Sequence, residues 1–208
     1  MWLGRLLRPT AGRVLLAIFR VRFVDAANVP SGGAVLAGNH VSHLDPTLLW
    51  CGAPRHVHFM AKEELYTGFV GWVLRRVWTF PVSRGQADRT AIQTATAFLE
   101  AGELVGIFPE GTRQTGSELG EAHGGAAFIA LRAGVPVVPV AFVGTGLILP
   151  KGAKRPRRGR VTIKYGVPVL PDAFAQGSRK ERVTAMTAEI MRRIADELVS
   201  AKELHDAR

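Results

Sequence analysis

The chain has 208 residues, 47% of them apolar, and sets 27 Lys and Arg against 17 Asp and Glu for a formal charge of +10. That suffices for one domain with a sizeable core, and the basic balance favours an anionic partner such as nucleic acid, an acidic membrane surface or a phosphorylated substrate. The single cysteine, Cys51, excludes an internal disulfide and the paired-cysteine metal and redox motifs.

The first 22 residues mix apolar side chains with Arg5, Arg8, Arg13, Arg20 and Arg22. The longest apolar run, Val14 to Phe19, falls far short of the roughly 20 residues that span a bilayer, and no small-residue cleavage site follows it. The segment reads as an amphipathic helix over 1–22, with Trp2, Leu3, Leu6, Leu7, Leu15, Leu16, Ile18 and Phe19 on the apolar side and arginines for lipid headgroups. Packing of that apolar side on the protein's own core is the alternative.

Beyond it, short apolar runs alternate with helical stretches. "AVLA" from Ala34, "HVHFM" from His56, "LVGIF" from Leu104 and "VPVVPVAFV" from Val135 read as strands. The prolines of the last place a strand end or bulge there. "DRTAIQTATAFLEAG" reads as a helix with Asp88 as N-cap and Gly102 as C-cap, and "HGGAAFIALRAG" as one ending at Gly134. Val183, Met186, Ile190, Ile194 and Leu198 form one stripe of a C-terminal helix. This alternation predicts a single α/β domain with a largely parallel or mixed sheet flanked by helices.

Ligands in such folds bind where loops leave the carboxyl ends of strands, and two loops there carry unusual chemistry. "GNHVSHLDPTLLW" sets His40 and Asp45 five residues apart. On a helix that spacing turns the side chain by about 140°, onto different faces. Asp45-Pro46 instead predicts a helix start, with Asp45 as N-cap, Pro46 in the first position and His40 in the turn before it. The second loop is "FPEGTR", Phe108 to Arg113. Taken singly, Asp45 fits a plain helix cap and Glu-Gly-Thr-Arg an ordinary turn.

The sequence resembles the glycerolipid acyltransferase family, most nearly its bacterial 1-acylglycerol-3-phosphate members, through four blocks in order: "NHVSHLD" as N-H-x4-D, "WTFPVSR" ending at Arg84, "FPEGTR", and "VPVVPVA". They span about Asn39 to Ala141, half of the chain. Trp78 stands where the family commonly has glycine, and Ser83 where it has an acidic residue. The resemblance implies a glycerol-3-phosphate acyltransferase-like fold for residues 23–208. It also implies transfer of a fatty acyl group from coenzyme A or acyl carrier protein to a lysophospholipid hydroxyl, most nearly that of 1-acyl-sn-glycerol 3-phosphate.

An alcohol attacking a thioester needs a base. His40 has the right chemistry, with Asp45 fixing its tautomer. His43 is a rival base, and Cys51 a rival nucleophile. Arg113 offers a planar fork to the acceptor phosphate, Gly111 and Thr112 complete its turn, and Glu110 is expected to orient Arg113 or a neighbouring loop. Lys62 and Arg84 are further phosphate ligands on the family pattern, Lys62 having a solvated helix start as its other reading. Neither a cofactor nor a metal is expected.

"KGAKRPRRGRVTIK" carries Lys151, Lys154, Arg155, Arg157, Arg158, Arg160 and Lys164 with no acidic residue. It reads as a basic loop for an anionic bilayer, with a plain solvated loop and nucleic-acid binding as the other readings, the expected location being the cytoplasmic membrane face without a span. No aromatic residue is interleaved, which counts against nucleic acid. The competing functions are a lipid hydrolase, disfavoured by the lack of a G-x-S-x-G elbow, and a basic binding module with a structural His-Asp pair.

Overall fold

The computed structural model describes residues 2–82, 88–115 and 119–207. In chain order it contains α1 (Trp2–Leu7), a π-helical turn (Arg8–Gly12), α2 (Arg13–Ile18), β1 (Val21–Val24), β2 (Ala34–Gly38), α3 (Leu44–Gly52) and β3 (Val57–Lys62). Next come α4 (Gly68–Leu74), β4 (Thr79–Val82), α5 (Arg89–Glu100), β5 (Leu104–Ile107), α6 (Gly125–Ala133), β6 (Val137–Val143), α7 (Thr145–Ile148), β7 (Val161–Tyr165) and α8 (Arg179–Asp206). The strands form one seven-stranded sheet in the order β1-β7-β6-β2-β5-β3-β4. β2 to β6 run parallel, whereas β7 is antiparallel to β6 and carries β1 parallel to itself. This is the mixed α/β sheet expected.

Side chains alternate across the central strands, and each face has its own core. Leu36 of β2 packs with Leu48 and Leu49 of α3, Phe59 and Phe142, while its neighbours Val35 and Ala37 pack with Ala95 and Leu99 of α5, Ile129 of α6 and Ile190 and Ile194 of α8. Burying a side chain of this kind contributes about 1.5–3 kcal/mol. Helix ends follow the sequence: the Asp88 carboxylate accepts the Ala91 N–H at 2.9 Å, and α6 stops at Gly134, whose φ of +65° suits a residue without Cβ. Ser178 and Glu181 cap α8 reciprocally.

Two expectations need correction, the single helix over 1–22 and the place of Lys164. Residues 1–22 are not one helix: α2 ends at Ile18, and Val21 and Arg22 already belong to β1. The apolar side divides, with Phe19 buried and Leu15 and Leu16 packed on the core, while Leu6, Val14 and Ile18 stay exposed. The strand end and the bulge read from the prolines are both present: Pro136 directly precedes β6, and Pro139 lies inside it, paired with Ala37 of β2. Its missing N–H faces the other side, in the break between the Val140–Val143 ladder with β7 and the isolated Val137–Val169 bridge. Lys164 leaves the basic loop for β7, where its ammonium pairs with Asp25 and Glu197. Lys62, the exposed last residue of β3, is also the N-cap of a 3-10 turn over Glu63–Leu65, which is the solvated helix start of its other reading.

Candidate active site

The central parallel strands end together at one edge of the sheet. There β2 passes into Asn39, whose buried side-chain amide donates to the Phe142 carbonyl at 3.2 Å and accepts the Phe142 N–H at 2.8 Å. This two-bond clamp fixes the exit of β2 against β6 and projects the next residue, His40. The His40 Nδ1 lies 3.0 Å from Asp45 Oδ2. The His40 side chain is 14% exposed and that of Asp45 fully buried, so the ring edge faces the outside over a concealed carboxylate.

Asp45 does not cap its own helix. His43 is the N-cap residue of α3, Asp45 stands in the first turn, and its Oδ2 reaches back to accept the Val41 and Ser42 N–H groups at 2.8 and 2.7 Å. The carboxylate thereby shapes the turn that carries His40 as well as contacting the ring. Its Oδ1 is buried without a hydrogen-bond partner, so all three donors converge on one oxygen. With Nδ1 donating to Asp45, Nε2 is the nitrogen left to accept a proton.

The "FPEGTR" loop braces the same turn. Glu110, buried, accepts the His40 backbone N–H at 3.0 Å through Oε1 and the Gly120 N–H at 3.1 Å through Oε2. Glu110 therefore orients a neighbouring loop, one of the two roles expected of it. The Gln114 N–H donates to the His40 carbonyl at 2.7 Å, and Phe108 stacks on the His40 ring at 4.2 Å between centroids. Gly111 takes φ +65°, and an added Cβ would stand 3.0 Å from the His123 ring. Asn39, Phe108 and His123 are site residues that sequence reasoning misses. Asn39 and Phe108 lie inside the motif blocks, whereas nothing in the spacing of His123 marks it.

Thr112 is exposed and Arg113 half-buried at the mouth of this turn. Arg113 comes near enough to His43 for its charge to lower that histidine's pKa, after partial desolvation and ahead of His40, with Asp45 pulling the other way. Asp45 hydrogen-bonds His40 and not His43, which separates the two rings. Continuing the Phe59–Gly106 register places Lys62 level with Pro109, one strand over from the loop. No contact joins Lys62 to Arg113 or His40 among the described residues. Arg84 lies outside those residues. Burial pushes the Cys51 thiol up to about 11, so it is protonated and inert at neutral pH. The basic loop is moored here too: the Lys151 ammonium donates to the Arg113 carbonyl at 3.1 Å, and the Ser42 hydroxyl to the Leu149 carbonyl at 2.8 Å.

A solvent-edged imidazole on a buried carboxylate, beside a cationic loop at the carboxyl end of a parallel sheet, is an arrangement chemically suited to base-catalysed group transfer or hydrolysis. Comparison with known proteins narrows the class. Residues 20–143 match the model of the acyltransferase family, and the chain belongs to that family. It is 34% identical over 179 residues to the 1-acyl-sn-glycerol-3-phosphate acyltransferase of Bacillus subtilis, covering 85% of this chain and 87% of that one. It is 36% identical to the lyso-ornithine lipid O-acyltransferase of Pseudomonas aeruginosa, covering 66% of this chain and 53% of that one. Chloroplastic relatives are longer, and the chain spans 38% to 39% of their length. The crystal structure of the 1-acyl-sn-glycerophosphate acyltransferase PlsC from Thermotoga maritima superposes with a TM-score of 0.70 at 26% identity, covering 92% of this chain and 81% of that one.

Proposed function

We propose that the protein acylates the free hydroxyl of 1-acyl-sn-glycerol 3-phosphate to give phosphatidic acid, a step of phospholipid synthesis, with acyl-CoA or acyl carrier protein as donor and no cofactor. The observation that carries this reading is the His40–Asp45 contact, made while Glu110 and Gln114 hold the His40 backbone on both sides. His40 Nε2 takes the proton of the lipid hydroxyl as its oxygen bonds to the thioester carbonyl carbon. The carbon–sulfur bond then breaks, and the imidazolium returns the proton to the departing thiolate. Asp45 stabilises the imidazolium between these events, and proton transfer of this kind contributes about 10²- to 10⁴-fold. Arg113 presents its donor fork to the phosphate, with Lys62 and, on the family pattern alone, Arg84 as further cations.

The substrates are lipids, and the surface supports attachment to a bilayer. Phe69, Val70 and Trp72 of α4 are exposed together with Leu6, Val14 and Ile18 of the N-terminal helices. The α1 backbone N–H of Gly4 meets the Arg76 carbonyl just past α4, and the Arg76 guanidinium lies 4.2 Å above the Trp72 ring. Among the described residues no helix is long and apolar enough to cross a membrane. Exposed apolar side chains on short helices mark a surface that lies on the bilayer.

The test incubates purified protein with acyl-CoA and a panel of lysolipids, then separates lipid products by mass spectrometry. Phosphatidic acid formed in preference to other acylated lipids supports the proposal. Free fatty acid without acylated product would make the enzyme a hydrolase, and preference for another lysolipid would reassign the acceptor.

A further inference from the structure

At the end of the sheet opposite His40 a cleft of about 440 Å³ is lined by Arg5, Arg8, Pro54, Arg55, His56, Trp78 and Glu103. Its walls come from α1, the π-helical turn and the segments that enter β3, β4 and β5. Because β2 alone spans five residues at about 3.3 Å each, this cleft and His40 are separated by the depth of the sheet.

The cleft is built around Trp78, which is buried at the entry to β4. Its φ is +39°, a region that costs a bulky side chain strain and a glycine nothing. The strained backbone places a buried indole under α1. Its ring stacks on His56 at 3.9 Å between centroids, and a Cβ added to Gly4 would stand 2.0 Å from the ring, so the helix backbone rests directly on it.

Around this floor the charge is one-sided. Arg8 donates to His56 Nδ1 at 3.3 Å and to the Cys51 and Ala53 carbonyls. Arg55 donates to the carbonyls of Gly102, Pro30 and Gly32. Carbonyls orient a guanidinium without neutralising it, and each fork keeps N–H groups beyond those used. Arg5 adds a third, exposed guanidinium. The one carboxylate lining the cleft, Glu103, is hydrogen-bonded to buried His58, and three guanidiniums outnumber it. His56 adds no charge to offset: burial first, then Arg8 and Arg5, hold its pKa below the usual value.

We infer that this cleft is a second anion site, taking the phosphate of an anionic phospholipid headgroup and separate from the acceptor site at Arg113. Its chemistry is that of any phosphate ester. The lipid source is set by location, because Arg5 is followed by exposed Leu6, and α1 is joined to α4, which carries exposed Phe69, Val70 and Trp72. Headgroup phosphates lie just above such an inserted apolar surface. The inference rests on the bilayer attachment proposed above and adds selectivity for anionic lipid to it.

The test is co-sedimentation of the full chain with phosphatidylcholine vesicles and with phosphatidylcholine vesicles containing a minority of phosphatidylglycerol, which is neither the proposed acceptor nor its product. Wild type is expected to prefer the anionic vesicles. Arg5→Glu, checked by its melting curve, is expected to lose roughly thirtyfold in that preference, at about fivefold per unit charge, and Arg158→Glu in the basic loop clearly less. Inorganic phosphate should displace wild type from anionic vesicles better than chloride at equal ionic strength, and Arg5→Glu no better than chloride. Equal losses for the two variants, or phosphate acting only as chloride does, would overturn the site. Phosphate raising the melting temperature of wild type but not of Arg5→Glu, without any vesicle preference, would overturn the lipid source. Binding to neither vesicle would remove the bilayer reading itself, whereas equal binding to both would remove the cleft alone.

Discussion

The Glu110 carboxylate accepts the backbone N–H of His40 at 3.0 Å, across a sequence separation of 70 residues. The loop leaving β5 thus holds the proposed base by its main chain, while Asp45 holds it by its ring. Replacing Glu110 by Gln keeps the size but turns one of the two acceptors into a donor that faces an N–H. A buried backbone donor left unmatched costs about 1–3 kcal/mol. Expressed at His40, that lowers kcat about ten- to hundredfold with a smaller change in the KM of the acceptor. Steady-state kinetics with acceptor varied checks it; a KM effect with unchanged kcat would make Glu110 an acceptor ligand instead.

His40→Ala is expected to lower kcat by about 10²- to 10⁴-fold with the melting temperature nearly unchanged, because the ring is partly exposed at a strand exit and belongs to neither core. His43→Ala should retain most activity, since no hydrogen bond ties its ring to Asp45. The reverse pattern in the two variants would transfer the role of base to His43.

Arg113→Lys keeps the charge and loses the fork. The expected outcome is a raised KM for a phosphorylated acceptor by about tenfold, with the KM of the acyl thioester little changed. Varying each substrate in turn distinguishes this from a donor-site role, in which the thioester KM would move alone.

Much of the architecture is legible in the sequence because three of the four central strands, β2, β5 and β6, are apolar throughout, β3 is interrupted only by His58 before its terminal Lys62, and α5, α6 and α8 carry both periodicity and cap residues. The two edge strands β1 and β4 and the penultimate β7 are not, since "VRFV", "TFPV" and "VTIKY" are four or five residues long and carry a polar residue or a proline, and two of them lie in segments dominated by arginine and lysine. At the site, the residue types of His40, Asp45 and Glu110 can be read from the motif blocks. The direction of the Asp45 hydrogen bonds cannot, because an Asp before Pro serves equally as a cap for the next helix or as an acceptor for the preceding turn. The Asn39 clamp depends on Phe142, 103 residues away, and no local pattern reports it. Trp78 reads as a departure from a family pattern; the structure adds the reason, a positive φ.

Stability should fall on acidification below neutral pH. Burial holds His58 below the ordinary value of 6.5 despite Glu103, and burial with Arg8 and Arg5 does the same to His56. In both cases the unfolded chain binds a proton that the folded chain resists. This stabilisation is complete above pH 6.5 and is lost as pH falls through that value toward the folded-state pKa. Melting temperature recorded from about pH 7 to about pH 5 is expected to drop, and His58→Phe, which keeps a ring against Phe98, should flatten the slope. A melting temperature that rose on acidification would show that the charged forms are the ones stabilised by folding.

The division of the N-terminal apolar residues makes a short truncation sharper than removal of the whole span 1–22. Removing residues 1–22 takes Phe19, Leu15 and Leu16 out of the core and cuts β1 in half, so that chain is expected to misfold. Removing residues 1–12 leaves these in place. It takes Leu6 from the exposed surface and uncovers Trp78, which should lower the melting temperature without preventing folding. The shorter truncation is therefore the informative one. It should release the protein partly from neutral phosphatidylcholine vesicles, Phe69, Val70 and Trp72 of α4 and Val14 and Ile18 of α2 supplying what attachment remains. High salt should change neither form's binding to those vesicles much, because burial of apolar surface is not screened, whereas the Debye length falls from about 10 Å at 0.1 M to about 3 Å at 1 M. Undiminished neutral-vesicle binding by the 1–12 truncation would leave α2 and α4 as the whole apolar anchor and assign α1 to the protein alone.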